Sequence, residues 1–219
     1  MPVHNMKYLR KKEITDSNGT VLNVAEICSA TYALGPGQRF AIWLQGCCFR
    51  CQGCVSPDWI PLKVAHPVNT TVLADRIVST PGVEGVTISG GEPMLQAKAL
   101  LTLFKLLRQH QDISIMCFTG FTIESLRAQA NPDIDEILNI IDVIIDGQYI
   151  EALNDNKGWR GSSNQVVHFL SERHLSDTHL FLERDRHVEI HLNENENMLV
   201  VGVPPKYGLS DNLRNLPSA

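Results

Sequence analysis

The feature that most constrains the fold of this 219-residue chain is a series of short apolar runs, each followed within two residues by a glycine. The runs occupy 40–45, 85–89, 113–118 and 141–146, and segments with helical spacing of apolar residues lie between them. Runs that are apolar throughout are typical of strands buried on both faces, as in a parallel sheet covered by helices. Because such crossovers are right-handed, the sequence predicts an α/β fold in which a parallel β/α sheet curls into a partial, open barrel.

Helix signals separate the predicted strands. Thr70 or Thr71 can cap a helix that runs through Val78, and a second helix is expected from Pro93 to about His110. A third should begin near Thr122, and residues 133–140 have a helical pattern. The alternation of strand and helix is therefore expected to span residues 31–170, which we interpret as the core.

The flanks of this core have different patterns. Residues 1–30 contain the turn signal Ser-Asn-Gly at 17–19 and are interpreted as an N-terminal extension with a hairpin. Residues 171–219 form a C-terminal extension in which apolar residues alternate around 188–203, which predicts a β-hairpin. That hairpin could dock a protein or cover an exposed edge of the open barrel, and the covering role is the one we expect.

Composition limits the function classes. The net charge is −5 and the pI is about 5.9, so no basic face is available to neutralise phosphates, and nucleic acid is not an expected partner. No apolar stretch approaches the ~20 residues of a membrane span, and the basic N-terminus has no apolar segment after it. These features predict a cytoplasmic protein with no membrane association.

The chemistry-bearing residues follow the ends of the predicted strands. A cysteine cluster follows 40–45, Gly90-Gly91-Glu92-Pro93 follows 85–89, Thr119-Gly120 follows 113–118, and Asp146-Gly147 closes 141–146. Loops at the C-terminal ends of parallel strands meet on one side of the sheet. We therefore expect these four segments to lie on one rim.

The cysteine cluster consists of Cys47, Cys51 and Cys54, with Cys48 beside it. In a reducing compartment, clustered thiols favour a metal site over disulfides, and thiolates suit iron–sulfur clusters and zinc. Three thiolates on a [4Fe–4S] cluster leave one iron open for a substrate. The alternative is a zinc knuckle with Cys48 or His66 as fourth ligand, and Cys48 also permits a shifted register in place of Cys47. Two further cysteines are expected in the core and are Cys28 and Cys117.

The Gly90-Gly91-Glu92-Pro93 turn is typical of a site where a ligand approaches the backbone. The two glycines leave main-chain groups accessible, and Pro93 fits the first position of a helix. Glu92 would then occupy the N-cap, where its carboxylate can accept hydrogen bonds from an amino group. An ordinary turn between a strand and a helix remains the alternative for these four residues taken alone.

The segments GCCFRCQGCVSPDW and SGGEP together resemble the radical S-adenosylmethionine (SAM) superfamily. Within it the chain is most similar to the glycyl-radical activases, above all the activating proteins of anaerobic ribonucleoside-triphosphate reductase. The segments GPGQRF, CFTGF, IIDGQYIEAL and WRGSSNQVVHFL resemble blocks of the short activases in the same order. The resemblance covers roughly residues 33–170.

The resemblance implies roles for particular residues. Cys47, Cys51 and Cys54 would hold a [4Fe–4S] cluster whose open iron takes the amino and carboxylate groups of SAM. The amino group would be bound by Gly90, Gly91 and Glu92, with Pro93 fixing the turn. Thr119 would approach the ribose, and Asp146 would lie near the site.

The implied activity is reductive cleavage of SAM to a 5′-deoxyadenosyl radical, which abstracts hydrogen from a glycine of a partner such as anaerobic ribonucleotide reductase. A low-potential donor such as flavodoxin or ferredoxin would supply the electron. An enzyme that acts directly on a peptide or small molecule is the second hypothesis, and a non-catalytic zinc or Fe–S module is the third.

The chain departs from the pattern of its relatives in three places. Gly53 stands where many superfamily members carry an aromatic residue that packs near adenine, so adenine contacts must come from elsewhere. Leu34 occupies a position that is often acidic. The chain also continues about fifty residues beyond the end of the short activases.

Overall fold

The computed structural model of the chain describes residues 18–110, 112–192 and 198–206. A seven-stranded sheet forms its centre, with strands β1 Val21–Thr31, β2 Arg39–Leu44, β3 His66–Asn69, β4 Gly85–Gly90, β5 Ser114–Phe118, β6 Val143–Asp146 and β7 Val166–Phe169. The helices are α1 Thr70–Ser79, α2 Ala97–His110, α3 Ile123–Arg127, α4 Pro132–Ile140 and α5 Thr178–Leu182. A separate two-stranded sheet consists of β8 Val188–Leu192 and β9 Met198–Gly202.

The sheet is rich in parallel pairs. Its strand order is β3-β1-β2-β4-β5-β6-β7, and β2, β4, β5 and β6 pair in parallel in the order in which the chain makes them. The remaining strands β3, β1 and β7 join it by antiparallel pairs. The predicted α/β class, the four apolar strands and the C-terminal β-hairpin are thus confirmed.

Both faces of the central strands are buried, which explains why most of their positions are apolar. In β2, Phe40, Ile42 and Leu44 pack under the helices, whereas Ala41 and Trp43 point to the opposite face. The same alternation holds in the other parallel strands, where the helix side receives Ile88, Ile115, Cys117 and Ile144 and the opposite side receives Met116, Val143 and Ile145. We call this opposite side the inner face.

The helices begin where short polar side chains can cap them. Asn69 caps α1 by accepting hydrogen bonds from the backbone amides of Thr71 and Val72, one residue before the predicted cap. Thr122 caps α3, as predicted. The helix expected from Pro93 consists of a 3₁₀ turn, Pro93–Gln96, followed by α2. No helix in the described ranges has the length and apolar character needed to cross a bilayer.

The C-terminal extension packs against the inner face of the sheet. Val201 of β9 is fully buried in a cluster with Cys28, Ala33, Leu34, Ala41 and Trp43, on the side of β1 and β2. Phe181 of α5 is fully buried in a cluster with Met116, Val143, Ile145 and Trp159, on the side of β5 and β6. The expectation that the hairpin covers a sheet edge is wrong, because it lies on a face and pairs with neither edge strand in the described residues.

The buried Arg39 closes the inner face at the end where the parallel strands begin. Its guanidinium donates hydrogen bonds to Thr87 Oγ1, at 2.6 Å, and to the carbonyl of Val86, also at 2.6 Å. Burial lowers the pKa of Arg39 to about 9. A Cβ added to Gly35 or Gly85 would overlap this side chain, so the Gly-Pro-Gly segment serves the packing of Arg39. The cysteine loop and the glycine-rich turn lie at the other end of the strands.

The division into segments 1–30, 31–170 and 171–219 stays a prediction. Strand β1 belongs to the first segment by sequence, yet it is paired along its length with β2 and β3 of the sheet. The expected N-terminal hairpin around residues 17–19 has its first arm outside the described residues, as does the loop at 193–197 that joins the two strands of the C-terminal hairpin.

Candidate active site

The loops after the parallel strands surround a cavity of about 460 Å³. All four predicted loops contribute to it, as the parallel topology predicts. The predicted site residues that line it are Cys47, Cys51, Cys54, Gly90, Gly91, Glu92 and Thr119. The cysteine cluster and the glycine-rich turn, which are far apart in sequence, therefore share one enclosure.

The cysteine loop is closed at its base by backbone hydrogen bonds. The amide of Gly46 donates to the carbonyl of Trp59 at 2.8 Å, and the amide of Cys47 donates to the carbonyl of Ile60 at 3.0 Å. Within the loop, the Phe49 amide donates to Cys47 Sγ at 3.4 Å, a type of bond that tunes metal-bound thiolates. Burial raises the pKa of Cys47 to about 11 and also raises the pKa of Cys51.

The two residues considered as alternative ligands do not line this cavity. Cys48 is exposed, and His66 is exposed at the start of β3. In the described part of the chain, no three His, Cys, Asp or Glu side chains are gathered closely enough to hold a single metal ion. A [4Fe–4S] cluster binds each thiolate through a different iron, so its ligands surround a body larger than one ion. Three thiols on the wall of a shared cavity suit that arrangement.

The glycine-rich turn packs directly under the cysteine loop. The Gly91 amide donates to the carbonyl of Leu44 at 2.7 Å, and the Glu92 amide donates to the carbonyl of Gly46 at 2.8 Å. A Cβ on Gly91 would lie 2.1 Å from the Gly46 oxygen, and Gly90 has a φ of +108°. Only glycine fits these contacts without a shift of backbone.

Glu92 is fully buried and connects two of the loops. Its Oε1 accepts hydrogen bonds from the Met94 amide at 2.9 Å and from Thr119 Oγ1 at 2.8 Å, and its Oε2 accepts one from the Gly120 amide at 2.7 Å. The N-cap position is as predicted. Burial raises the pKa of Glu92 to about 7, although the three hydrogen bonds act in the opposite direction. Its predicted contact with an amino group stays a prediction.

Pro93 and Asp146 do not line the cavity. Pro93 is buried at the start of the 3₁₀ turn. Asp146 accepts a hydrogen bond from the Ile123 amide at 2.7 Å, and its Oδ2 lies 3.0 Å from His168 Nε2. Asp146 therefore joins the start of α3 to β6 and β7, and its predicted place beside a cofactor stays a prediction.

Comparison with known proteins agrees with this geometry. A family described as the 4Fe-4S single cluster domain matches residues 33–168. The anaerobic ribonucleoside-triphosphate reductase-activating protein of Salmonella typhi is 31% identical over 145 residues, which cover 62% of this chain and 91% of that protein. The protein of the same name from Vibrio cholerae serotype O1 is 32% identical over 142 residues, which cover 61% of this chain and 89% of that protein. The protein of the same name from Escherichia coli strain K12 is 30% identical over 146 residues, which cover 62% of this chain and 91% of that protein.

The chain belongs to the radical SAM activases. It is accordingly an oxidoreductase of the glycyl-radical-activating type, which uses a [4Fe–4S] cluster to cleave SAM reductively. The matched segment ends at residue 168, so α5 and the β8–β9 hairpin lie outside the family match.

Sequence reasoning missed two groups of residues that line the cavity. The first group is aromatic and comprises Trp43, Phe49, Trp59, Phe118 and Tyr149. Phe49 lies inside the cysteine loop, and its ring packs edge-on against Phe121 with centroids 4.8 Å apart. The position of Phe49 between Cys47 and Cys51 was a signal that could have identified it.

The second group comes from the C-terminal extension and comprises Leu199, Val200, Gly202, Val203 and Pro204. The alternation of apolar residues identified this segment as a hairpin. It carried no information on which surface of the sheet the hairpin covers, because the contacts that place it are distant in sequence.

Proposed function

We propose that this chain installs a glycyl radical on a partner enzyme, an anaerobic ribonucleotide reductase, with Cys47, Cys51 and Cys54 as the ligands of the [4Fe–4S] cluster. The observation that carries the proposal is the meeting of these thiols with the glycine-rich turn in one cavity. Three thiolates would leave one iron without a protein ligand, and an open coordination position is what a substrate-binding metal requires.

Cys47, Cys51 and Cys54 would hold the cluster, which would supply the one electron needed to cleave SAM at its S–C5′ bond into methionine and the 5′-deoxyadenosyl radical that takes a hydrogen atom from a glycine Cα of the partner. The residues of the chain bind and orient these groups. Main-chain groups of Gly90 and Gly91 would meet the methionine end of SAM beside the cysteines. Thr119 would approach the ribose, with its hydroxyl held by Glu92. The walls of the cavity exclude water from the reacting atoms.

The aromatic residues of the cavity suit the adenine. Because Gly53 cannot pack on a base, we propose that Phe49 or the tilted pair Trp43–Trp59, whose ring centroids are 5.6 Å apart, provides that surface. Asp146 would act through the backbone of the loops, since its carboxylate contacts the Ile123 amide and His168 Nε2.

We also propose that the parallel strands form the open β/α barrel of the radical SAM type. The supporting observations are the order β2-β4-β5-β6 and the inner face, which carries its own buried clusters. The proposed electron donor is a low-potential protein such as flavodoxin or ferredoxin, and the proposed compartment is the cytoplasm, where a donor of this kind and free thiols are both maintained.

Anaerobic reconstitution with iron and sulfide tests the proposal. With dithionite and SAM, the protein should form 5′-deoxyadenosine, and with its reductase added it should give the EPR doublet of a glycyl radical. Formation of 5′-deoxyadenosine without any radical on the reductase would favour direct action on a peptide or small molecule. Uptake of one zinc ion and no iron or sulfide would establish a non-catalytic metal module.

A further inference from the structure

The cavity of this activase has a wall that the family match does not include. Leu199, Val200 and Gly202 of β9 line it, together with Val203 and Pro204, and all five follow residue 168, where the match ends. The Salmonella typhi and Escherichia coli relatives are matched over 91% of their own length but over only 62% of this chain. This wall therefore lies outside the part of the chain that the family model matches.

Hydrogen bonds hold the hairpin in place on both sides of the cavity. On the β1 side, Glu189 of β8 accepts hydrogen bonds from Thr31 Oγ1 at 2.6 Å and from the Tyr32 amide at 2.8 Å. On the opposite side, the Arg186 guanidinium donates to Asn154 Oδ1 at 2.7 Å and to the carbonyl of Gly161 at 3.0 Å. The Arg186 side chain is 1% exposed. The hairpin is thus held in a fixed place across the cavity.

The hairpin presents the edge of β9 to the cavity. Leu199 and Val203 pack against the buried cluster that contains Val201. Val200 and Gly202 alternate with them along the chain and so lie on the other face of the strand. All four residues nevertheless line the cavity. A strand whose even and odd residues both contact one space presents its edge to that space. Among the described residues, β9 has β8 as its hydrogen-bonded neighbour, and its other edge carries main-chain donors and acceptors.

The chemistry of this wall does not suit the charged part of SAM. Its side chains are aliphatic and carry neither the donors nor the acceptors that an ammonium, a carboxylate and a sulfonium need. An apolar wall with a strand edge suits an extended peptide, because such edges bind main chain through added ladder hydrogen bonds. A glycine in such a peptide has no side chain, so its Cα can come close to the cofactor.

We infer that the edge of β9 is the substrate side of the active site, where it pairs with an extended, glycine-containing segment of the partner enzyme. The inference rests on the proposed function and extends it, since it states where the partner's main chain is held. The hairpin would then determine which partner segments can reach the cofactor.

A pair of variants on the two strands tests this inference. Val200→Trp enlarges a side chain that lines the cavity, and Ile190→Trp makes the same change at the residue paired with it on β8, which is 55% exposed and does not line the cavity. For Val200→Trp we expect the yield of glycyl radical per 5′-deoxyadenosine to fall, and binding of the reductase to weaken, by about tenfold or more. Ile190→Trp should behave like the wild type in both measurements.

Hydrogen exchange supplies a readout that is independent of catalysis. Adding the reductase to the wild-type protein should slow exchange of the amides at 198–203. The inference is overturned if these amides are not protected while the radical still forms, or if Val200→Trp lowers 5′-deoxyadenosine and glycyl radical in equal proportion. Failure of the proposed function looks different, because the wild-type protein would then give no radical on the reductase at all.

Discussion

Glu92 and Thr119 are joined by a 2.8 Å hydrogen bond between Oε1 and Oγ1 that links the loop after β4 to the loop after β5. Both side chains are almost fully buried, and the same carboxylate also binds the Gly120 amide through Oε2. The glycine-rich turn and the neighbouring loop are therefore held as one unit beside the cysteines. This rigidity matters because reacting groups must be placed to within a fraction of an ångström.

The buried carboxylate of Glu92 makes stability depend on pH. Since its pKa is raised from 4.5 to about 7 in the folded state, the folded protein retains a proton that the unfolded chain loses. The stabilisation from this group is fully present below pH 4.5 and is lost as the pH rises through about 7. We expect it to amount to about 3 kcal/mol at most.

The variant Glu92→Gln isolates this dependence. Urea unfolding measured from pH 5 to 8 should show a declining free energy of unfolding in the wild type and a weaker decline in the variant. The variant should also be destabilised near pH 5 by about 1–3 kcal/mol, because an amide NH₂ in place of Oε2 faces the Gly120 N–H. Identical pH slopes in the two proteins would contradict the assignment.

The three cavity cysteines and Cys48 are expected to respond differently to substitution. Cys51→Ala should reduce cluster content to a small fraction of the wild-type level, since two thiolates then remain. Cys48→Ala is the matched control and should retain the wild-type iron and sulfide content, because Cys48 does not line the cavity. Iron and sulfide analysis after anaerobic reconstitution measures the cluster content of both variants. An equal loss of iron and sulfide in the two variants would assign Cys48 to the cluster.

Gly91 is expected to be sensitive to the smallest enlargement. In Gly91→Ala the added Cβ meets the carbonyl oxygen of Gly46 at 2.1 Å, so the cysteine loop or the turn must move. We expect destabilisation of about 1–3 kcal/mol and weaker binding of SAM. Urea unfolding and equilibrium binding of SAM to the reconstituted protein provide the two measurements. Wild-type values in both would show that the cysteine loop can move to accommodate the added Cβ without cost.

Phe181 tests whether the C-terminal extension is part of the folded core. It is fully buried against Trp159 and Phe169, with ring centroids 4.8 and 5.1 Å away. Phe181→Ala should lower the free energy of unfolding by about 3–5 kcal/mol in a single cooperative transition. The control Leu175→Ala removes a side chain that is 55% exposed and should cost less than about 0.5 kcal/mol. A small effect at Phe181 would mean that the extension is only loosely attached.

The sequence was most informative where local pattern and burial agree. The four parallel strands were predicted because each is mostly apolar on both faces and a glycine lies at its end or in the loop that follows it. Strand β3 was not predicted, since its sequence His-Pro-Val-Asn is mostly exposed and contains a proline, which is tolerated at a sheet edge. Strand β7 is only four residues long and largely half-buried, which gives too weak a pattern to identify it.

Other differences come from tertiary contacts. Asn69, Thr70 and Thr71 are all suitable helix caps by residue type. The pairing of Asn69 with Val21 in the sheet keeps Asn69 extended and thereby selects it as the cap of α1. The place of the hairpin on the inner face depends in the same way on Thr31 and Tyr32, which lie more than 150 residues from their partner Glu189.

For the candidate site, the spacing of the cysteines and the Gly-Gly-Glu-Pro turn was sufficient to predict which loops meet. The partners of the Glu92 carboxylate could not be predicted, because Thr119 and Gly120 reach it from another strand. The β9 wall was not predicted for the same reason, whereas Phe49 could have been identified from its position inside the cysteine loop.

The proposed mechanism requires one iron of the cluster to have no protein ligand and to bind SAM. Electron–nuclear double resonance of the reduced, reconstituted protein with SAM labelled with ¹⁵N at the amino group tests it most directly. We expect a hyperfine coupling between the cluster and that ¹⁵N nucleus, and its absence when the SAM carries no ¹⁵N label. A cluster signal that does not change on addition of SAM, with a fourth protein ligand on the metal, would contradict it.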